Sequence, residues 1–141
     1  MSIARLAAVV ILASLIASFT DWLFMGALFH DRYLIYPEVW RGSLDEGAKI
    51  GYSQAIAILS CLGFALLAAM LRLRTMGALL TAALLVWLAV AVPMLVQDGI
   101  WLKLDSWVLG AHALGWLARF LITALLCAWL LRPAPSEAAA A

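Results

Sequence analysis

Four polar side chains sit inside otherwise apolar stretches of this 141-residue sequence: Asp21, Gln54, His112 and Arg119. A charged side chain at the centre of a bilayer costs roughly 2.5–3.5 kcal/mol on insertion scales, so Asp21 and Arg119 need either a partner or a task. The spacing brings the four together. At the rise of an α-helix, Asp21 lies about 27 Å along from Ile3 and Gln54 about 25 Å from Leu71. On the same scale His112 lies about 28 Å and Arg119 about 18 Å from Leu131. Asp21, Gln54 and His112 therefore share a level, and the long arginine side chain reaches up to meet them. His112, Arg119 and Thr123 are seven and four residues apart and fall on one helical stripe, on which Gly115 leaves room. Ser14, Ala17, Ser18, Asp21 and Met25 form a matching stripe on the first apolar run.

Two readings of this cluster stay open from the residues. In one, Asp21 and Arg119 form an ion pair that fixes the first helix against the fourth. Arginine does not lose its proton in proteins, so its carboxylate partner stays ionised, and such a pair specifies geometry more than it adds stability. In the other, the cluster is a binding site: Asp21 carries a proton or a cation, Arg119 holds an anionic head group or carboxylate in bidentate fashion, and His112 relays protons near neutral pH. No metal-ligand spacing, Ser/His/Asp set, Gly-rich phosphate loop or flavin fingerprint accompanies them. His30 and His112 would be the only axial pair for a haem, but they lie about 12 Å apart in depth, so no cofactor is expected.

The elements that must carry these residues follow from composition. The sequence is 67% apolar and 12% charged, where a soluble domain is about 25% charged. Lipid is the only solvent that suits so much apolar surface, and the net charge of +1 argues against nucleic acid. Four runs reach the roughly 20 residues a spanning helix needs: about 3–29, 50–71, 76–96 and 109–131. Only helices satisfy their own backbone in hydrocarbon. The expected fold is an all-α membrane protein, an antiparallel bundle of four transmembrane helices spanning residues 1–132 as one domain, with a disordered, low-complexity tail over 133–141. The first run continues well past signal-peptide length and reads as a retained helix.

Connections differ in length. Arg72-Leu73-Arg74-Thr75 reads as a tight turn, while His30–Lys49 and Gln97–Val108 read as longer loops. Lys and Arg tie between the two sides. The short Arg72/Arg74 loop and Arg5 favour both termini in the cytoplasm of a bacterial inner membrane. Tyr33, Tyr36, Trp40, Trp101 and Trp107, with Phe29 and Tyr52, gather near the opposite interface. They read as an outer aromatic cap that either anchors at the interface or forms a lid over the polar cluster.

Small residues mark helix contacts in lipid. Ser53, Ala57, Cys61, Ala65 and Ala69 form a ladder on the second helix, and Ala111 and Gly115 a shorter one on the fourth. Cys61 and Cys127 read as packing residues rather than a disulfide. Pro93 should bend the third helix. A shift of 67 residues pairs Arg5 with Arg72, Asp31 with Asp98 and Trp40 with Trp107, which raises an internal duplication.

The stretch from Asp21 to His30, Asp-Trp-Leu-Phe-Met-Gly-Ala-Leu-Phe-His, followed by Pro37-Glu-Val-Trp-Arg41, resembles a family of small bacterial membrane proteins with four predicted helices. Gly26 and Trp40 occupy the places of that family's helix-end glycine and loop tryptophan. The resemblance covers the first helix and its loop, and implies the four-helix fold but no particular activity. The sequence is rich in packing residues, poor in motifs and carries an aromatic outer cap, so the expected function is a non-enzymatic membrane component, accessory, assembly or structural, that binds lipid, a membrane-protein partner or a second copy of itself. A small proton- or ion-coupled transporter using Asp21 is the alternative. An enzyme acting on lipid or quinone beneath the aromatic cap comes third.

Overall fold

The structure, a computed structural model, describes residues 2–39 and 45–131. Among these residues all regular structure is helical and no strand occurs. Trp40, Arg41, Arg132 and the tail over 133–141 lie outside the described residues.

The order is α1 (Ile3–Asp21), which continues as a π turn over Trp22–Leu28, then α2 (His30–Tyr33) and a 3-10 turn Pro37–Val39. Next come α3 (Glu46–Met70) and α4 (Met76–Val86), a second π turn Trp87–Ala91, α5 (Val92–Trp101) and α6 (Ser106–Leu130). Merging the π turns with their helices leaves four helices long and apolar enough to cross a membrane: Ile3–Leu28, Gly47–Met70, Met76–Trp101 and Ser106–Leu130.

Each long helix starts at a side chain that satisfies an otherwise orphaned amide. Ser2 accepts from Arg5, Asp45 from Ala48, Thr75 from Ala78 and Asp105 from Trp107. The structure moves three boundaries read from hydropathy. The second long helix begins at Glu46 rather than 50, because Asp45 caps it. The third runs on to Trp101 instead of stopping at 96, and the fourth, capped by Asp105, begins at Ser106 rather than 109, so the loop read over Gln97–Val108 shrinks to Leu102–Asp105. Polar residues near a helix end lower local hydropathy without ending the helix. Gln97 and Asp98 do so here.

α3 ends in a Schellman motif. The Arg72 amide bonds the Ala69 carbonyl at 3.1 Å and the Leu73 amide bonds the Ala68 carbonyl at 2.9 Å. Arg72 takes the left-handed position with φ 53°, a place usually held by glycine.

Pro93 sits in the first turn of α5, directly after the π turn. It has no N–H, and the wider turn ahead of it, closed by the Val92 amide on the Trp87 carbonyl, takes up the missing bond. The Trp87 indole then donates to the Ala113 carbonyl at 2.9 Å, tying this turn to α6. The residues paired by the 67-residue shift fall in different settings: Asp31 lies in the short α2, Asp98 within the third long helix.

α6 is the central element and packs against α1, α3, α4 and α5. Its buried stripe is Val108, Ala111, Gly115, Arg119, Thr123 and Cys127, a three-to-four-residue repeat of mostly small side chains. On α3 the expected ladder holds at Ala57, Cys61 and Ala65, all fully buried. It fails at its ends, where Ser53 is exposed and Ala68 rather than Ala69 is buried. The ladder has a period of 4.0 and the helix one of 3.6, so a contact face drifts across the stripe over several turns. Val9, Phe64, Leu79, Phe120 and Ala124 form the centre of the core. Outward faces are apolar as well: Ile11, Leu59, Leu85 and Trp129 are all exposed.

Candidate functional site

Asp21 closes α1 on the face that also buries Ser14 and Ala17. Arg119 lies midway along the buried stripe of α6. The two meet: the Arg119 Nη2 donates to Asp21 Oδ2. The arginine side chain is 6% exposed and the aspartate 18%, so the pair is largely withdrawn from the surface.

Three neighbours shape it. The other terminal nitrogen, Nη1, donates to Ser60 Oγ on α3 at 3.3 Å, and Ser60 Oγ donates to the Ile56 carbonyl at 2.7 Å. The guanidinium carbon lies 4.3 Å from the centre of the Trp116 ring, a cation–π contact within one turn of the same helix. Gly115 faces the carboxylate so closely that a Cβ there would fall 2.7 Å from Asp21 Oδ1. Asp21 Oδ1 and Arg119 Nε are buried without a hydrogen-bond partner among the described residues. One arginine thus joins α1, α3 and α6, and its carboxylate keeps an acceptor free.

The other two members of the sequence-predicted cluster lie near the pair without bonding to it. Gln54 Oε1 accepts from Ser18 Oγ at 2.5 Å, which links α3 to α1 one helical turn before Asp21. His112 lies about two turns from Arg119 on α6 and packs against the Tyr33 ring at 5.8 Å, tilted by 60°. The charges of Asp21, Asp98 and Arg119 all reach His112. Thr123 belongs to the Arg119 stripe, but its hydroxyl donates back to the Arg119 carbonyl at 2.7 Å, so it serves the helix and not the pair. Among the described residues no three His, Cys, Asp or Glu side chains gather as a metal site. Cys61 and Cys127 are free and buried.

Tyr33 covers this end of the cluster. It sits on α2, and burial, with Asp21 behind it, pushes its phenol well above the usual tyrosine range. Other aromatic residues share that end. Phe29 stacks on Trp107 at 6.0 Å. Lys103 lies 4.5 Å over the Tyr36 ring and pairs with Glu38 at 3.5 Å, which joins the loop after α2 to the one before α6. Trp101 is the last residue of α5 and is 78% exposed. Trp40 lies outside the described residues.

Sequence reasoning missed Ser60 and Trp116 as partners of Arg119. Trp116 was recoverable, since it lies three residues from Arg119 and neighbours at that spacing touch. Ser60 gave no such signal, because its role depends on how α3 is rotated against α6. No protein-family model matches this chain, and neither a curated protein nor a solved structure matches it.

Proposed function

We infer that the chain is a multi-pass protein of a bacterial inner membrane, with its four long helices inserted as an antiparallel bundle and both termini in the cytoplasm. It works without catalysis, as an accessory or assembly component that binds lipid or a membrane-protein partner. The reading includes kinship with the small four-helix bacterial membrane proteins that the Asp21–His30 stretch resembles. Apolar outward faces on all four long helices support insertion. The observation that carries the non-catalytic role is the pairing of the two interior charges with each other. Arg119 is bonded to Asp21 and Ser60 and stacked on Trp116, so its charge ties helices together instead of awaiting a substrate.

The free Oδ1 of Asp21 favours one second reading, a small proton- or ion-coupled carrier. Proteoliposome flux separates the two. In the accessory role, reconstituted protein shows no pH-driven flux, and gently extracted protein retains a stoichiometric polypeptide or lipid in native mass spectrometry. A bare protein whose pH-driven flux disappears on Asp21→Asn would replace the accessory reading with the carrier.

A further inference from the structure

A cleft of about 250 Å³ opens where the first long helix ends and α6 begins, lined by Leu28, Phe29, Asp31, Arg32 and Trp107. Leu28 is the last residue of the first apolar span and Trp107 the second of the fourth. The cleft therefore straddles the boundary between apolar helix and polar loop. Its floor is aromatic: Phe29 and Trp107 stack with their planes 20° apart, and Trp107 leaves 54% of its surface open. The Arg32 guanidinium carbon lies 5.9 Å from the centre of the Trp107 ring.

The charges in the cleft are not drawn into the ion pairs nearby. Glu38 and Lys103 pair with each other, as do Asp21 and Arg119. Asp31 and Arg32 have no ion-pair partner among the described residues, and both are exposed. One anion and one cation, adjacent in the chain above an apolar and aromatic floor, complement a ligand with the same three parts: an anion, a nearby cation and an apolar tail.

We propose that this cleft binds the head group of a zwitterionic aminophospholipid, phosphate on Arg32 and ammonium on Asp31, with the start of an acyl chain along Leu28 and Phe29. The inference rests on the membrane reading above and gives that reading a lipid class. Arginine suits phosphate through its fork of N–H donors. A primary ammonium has three N–H donors for the Asp31 carboxylate. A quaternary ammonium has none and would seek an aromatic face, which at Trp107 is already taken by Arg32. A purely anionic head group would set its net negative charge against Asp31.

The test uses the full chain purified in mild detergent, offered equal amounts of phosphatidylethanolamine, phosphatidylcholine and phosphatidylglycerol, and read by native mass spectrometry. The expected result is preferential retention of phosphatidylethanolamine. Arg32→Gln should lower that retention by about threefold to fivefold, the upper part of the range of an exposed ion pair. Asp31→Asn should erase the preference over phosphatidylglycerol. Both side chains are exposed, and circular dichroism checks that the variants stay folded. Equal retention of the three lipids, or a preference unchanged in both variants, overturns the proposal. Displacement of the lipid by free phosphoethanolamine at comparable concentration assigns the site to a soluble zwitterion and overturns it too. Carbonate extraction of membranes tests the underlying reading separately. Release of the protein overturns that reading and the inference with it, while firm retention without lipid preference overturns only the inference.

Discussion

The Asp21 carboxylate and the Arg119 guanidinium meet across the contact between α1 and α6, 98 residues apart in the chain. Removing one partner strands a buried charge, whereas removing both removes the need for either. Asp21→Asn or Arg119→Gln alone should cost about 3–5 kcal/mol. The double replacement Asp21→Leu/Arg119→Met should cost far less than the sum of the corresponding single changes. Unfolding in mixed detergent–SDS micelles measures this, and additive losses would show that the two residues are not coupled.

Gly115 provides the space for that carboxylate. Gly115→Ala places a Cβ 2.7 Å from Asp21 Oδ1 and should destabilise by about 1–3 kcal/mol, the usual range for overpacking. In an Asp21→Ser background the same change should be nearly silent. Gly63, inside α3, has nothing within 4 Å of its Cβ position, so Gly63→Ala serves as the control and should be neutral or stabilising by up to about 1 kcal/mol. Equal losses at the two glycines would contradict the close approach.

Arg72 holds the left-handed turn after α3 at φ 53°. A residue with a Cβ pays about 1–2 kcal/mol there and glycine does not. Arg72→Gly should therefore raise thermal stability by about 1 kcal/mol, after allowing for the greater freedom of glycine in the unfolded chain. A fall in the melting temperature would mean that the Arg72 side chain contributes more than the turn geometry costs.

Tyr33 should resist ionisation. Burial and the Asp21 charge raise its phenol in the folded protein, while the unfolded phenol titrates near pH about 10. Above that pH the unfolded chain has lost this proton and the folded chain keeps it, so stability falls as pH rises. Below it the group is neutral in both states and contributes no pH dependence. Tyr33→Phe should flatten the alkaline decline. In ultraviolet titration, the difference between the protein and this variant should show a phenolate forming only above the usual tyrosine range. A difference spectrum centred near pH about 10 would place Tyr33 in open solvent.

The sequence by itself determined the four long helices, because an apolar run of spanning length has no other way to satisfy its backbone away from water. Where they start is also local, since Ser2, Asp45, Thr75 and Asp105 cap through bonds to residues two or three places on, but hydropathy passed over the Asp45 and Asp105 caps and placed those two starts at 50 and 109. Periodicity put Asp21 and Arg119 on inward stripes, and Gly115 beside them. These are local properties, carried by one helix at a time.

Tertiary structure decided the rest. Ser60 receives Arg119 while Gln54 does not, because the rotation of α3 follows from the close contact of Ala57, Cys61 and Ala65 with its neighbours. Tyr33 lies over His112 because α2 packs against α6, while Trp101 ends α5 with its side chain in the open. Small side chains set how near two helices come and at what rotation, and only that packing selects which polar atoms at one level touch.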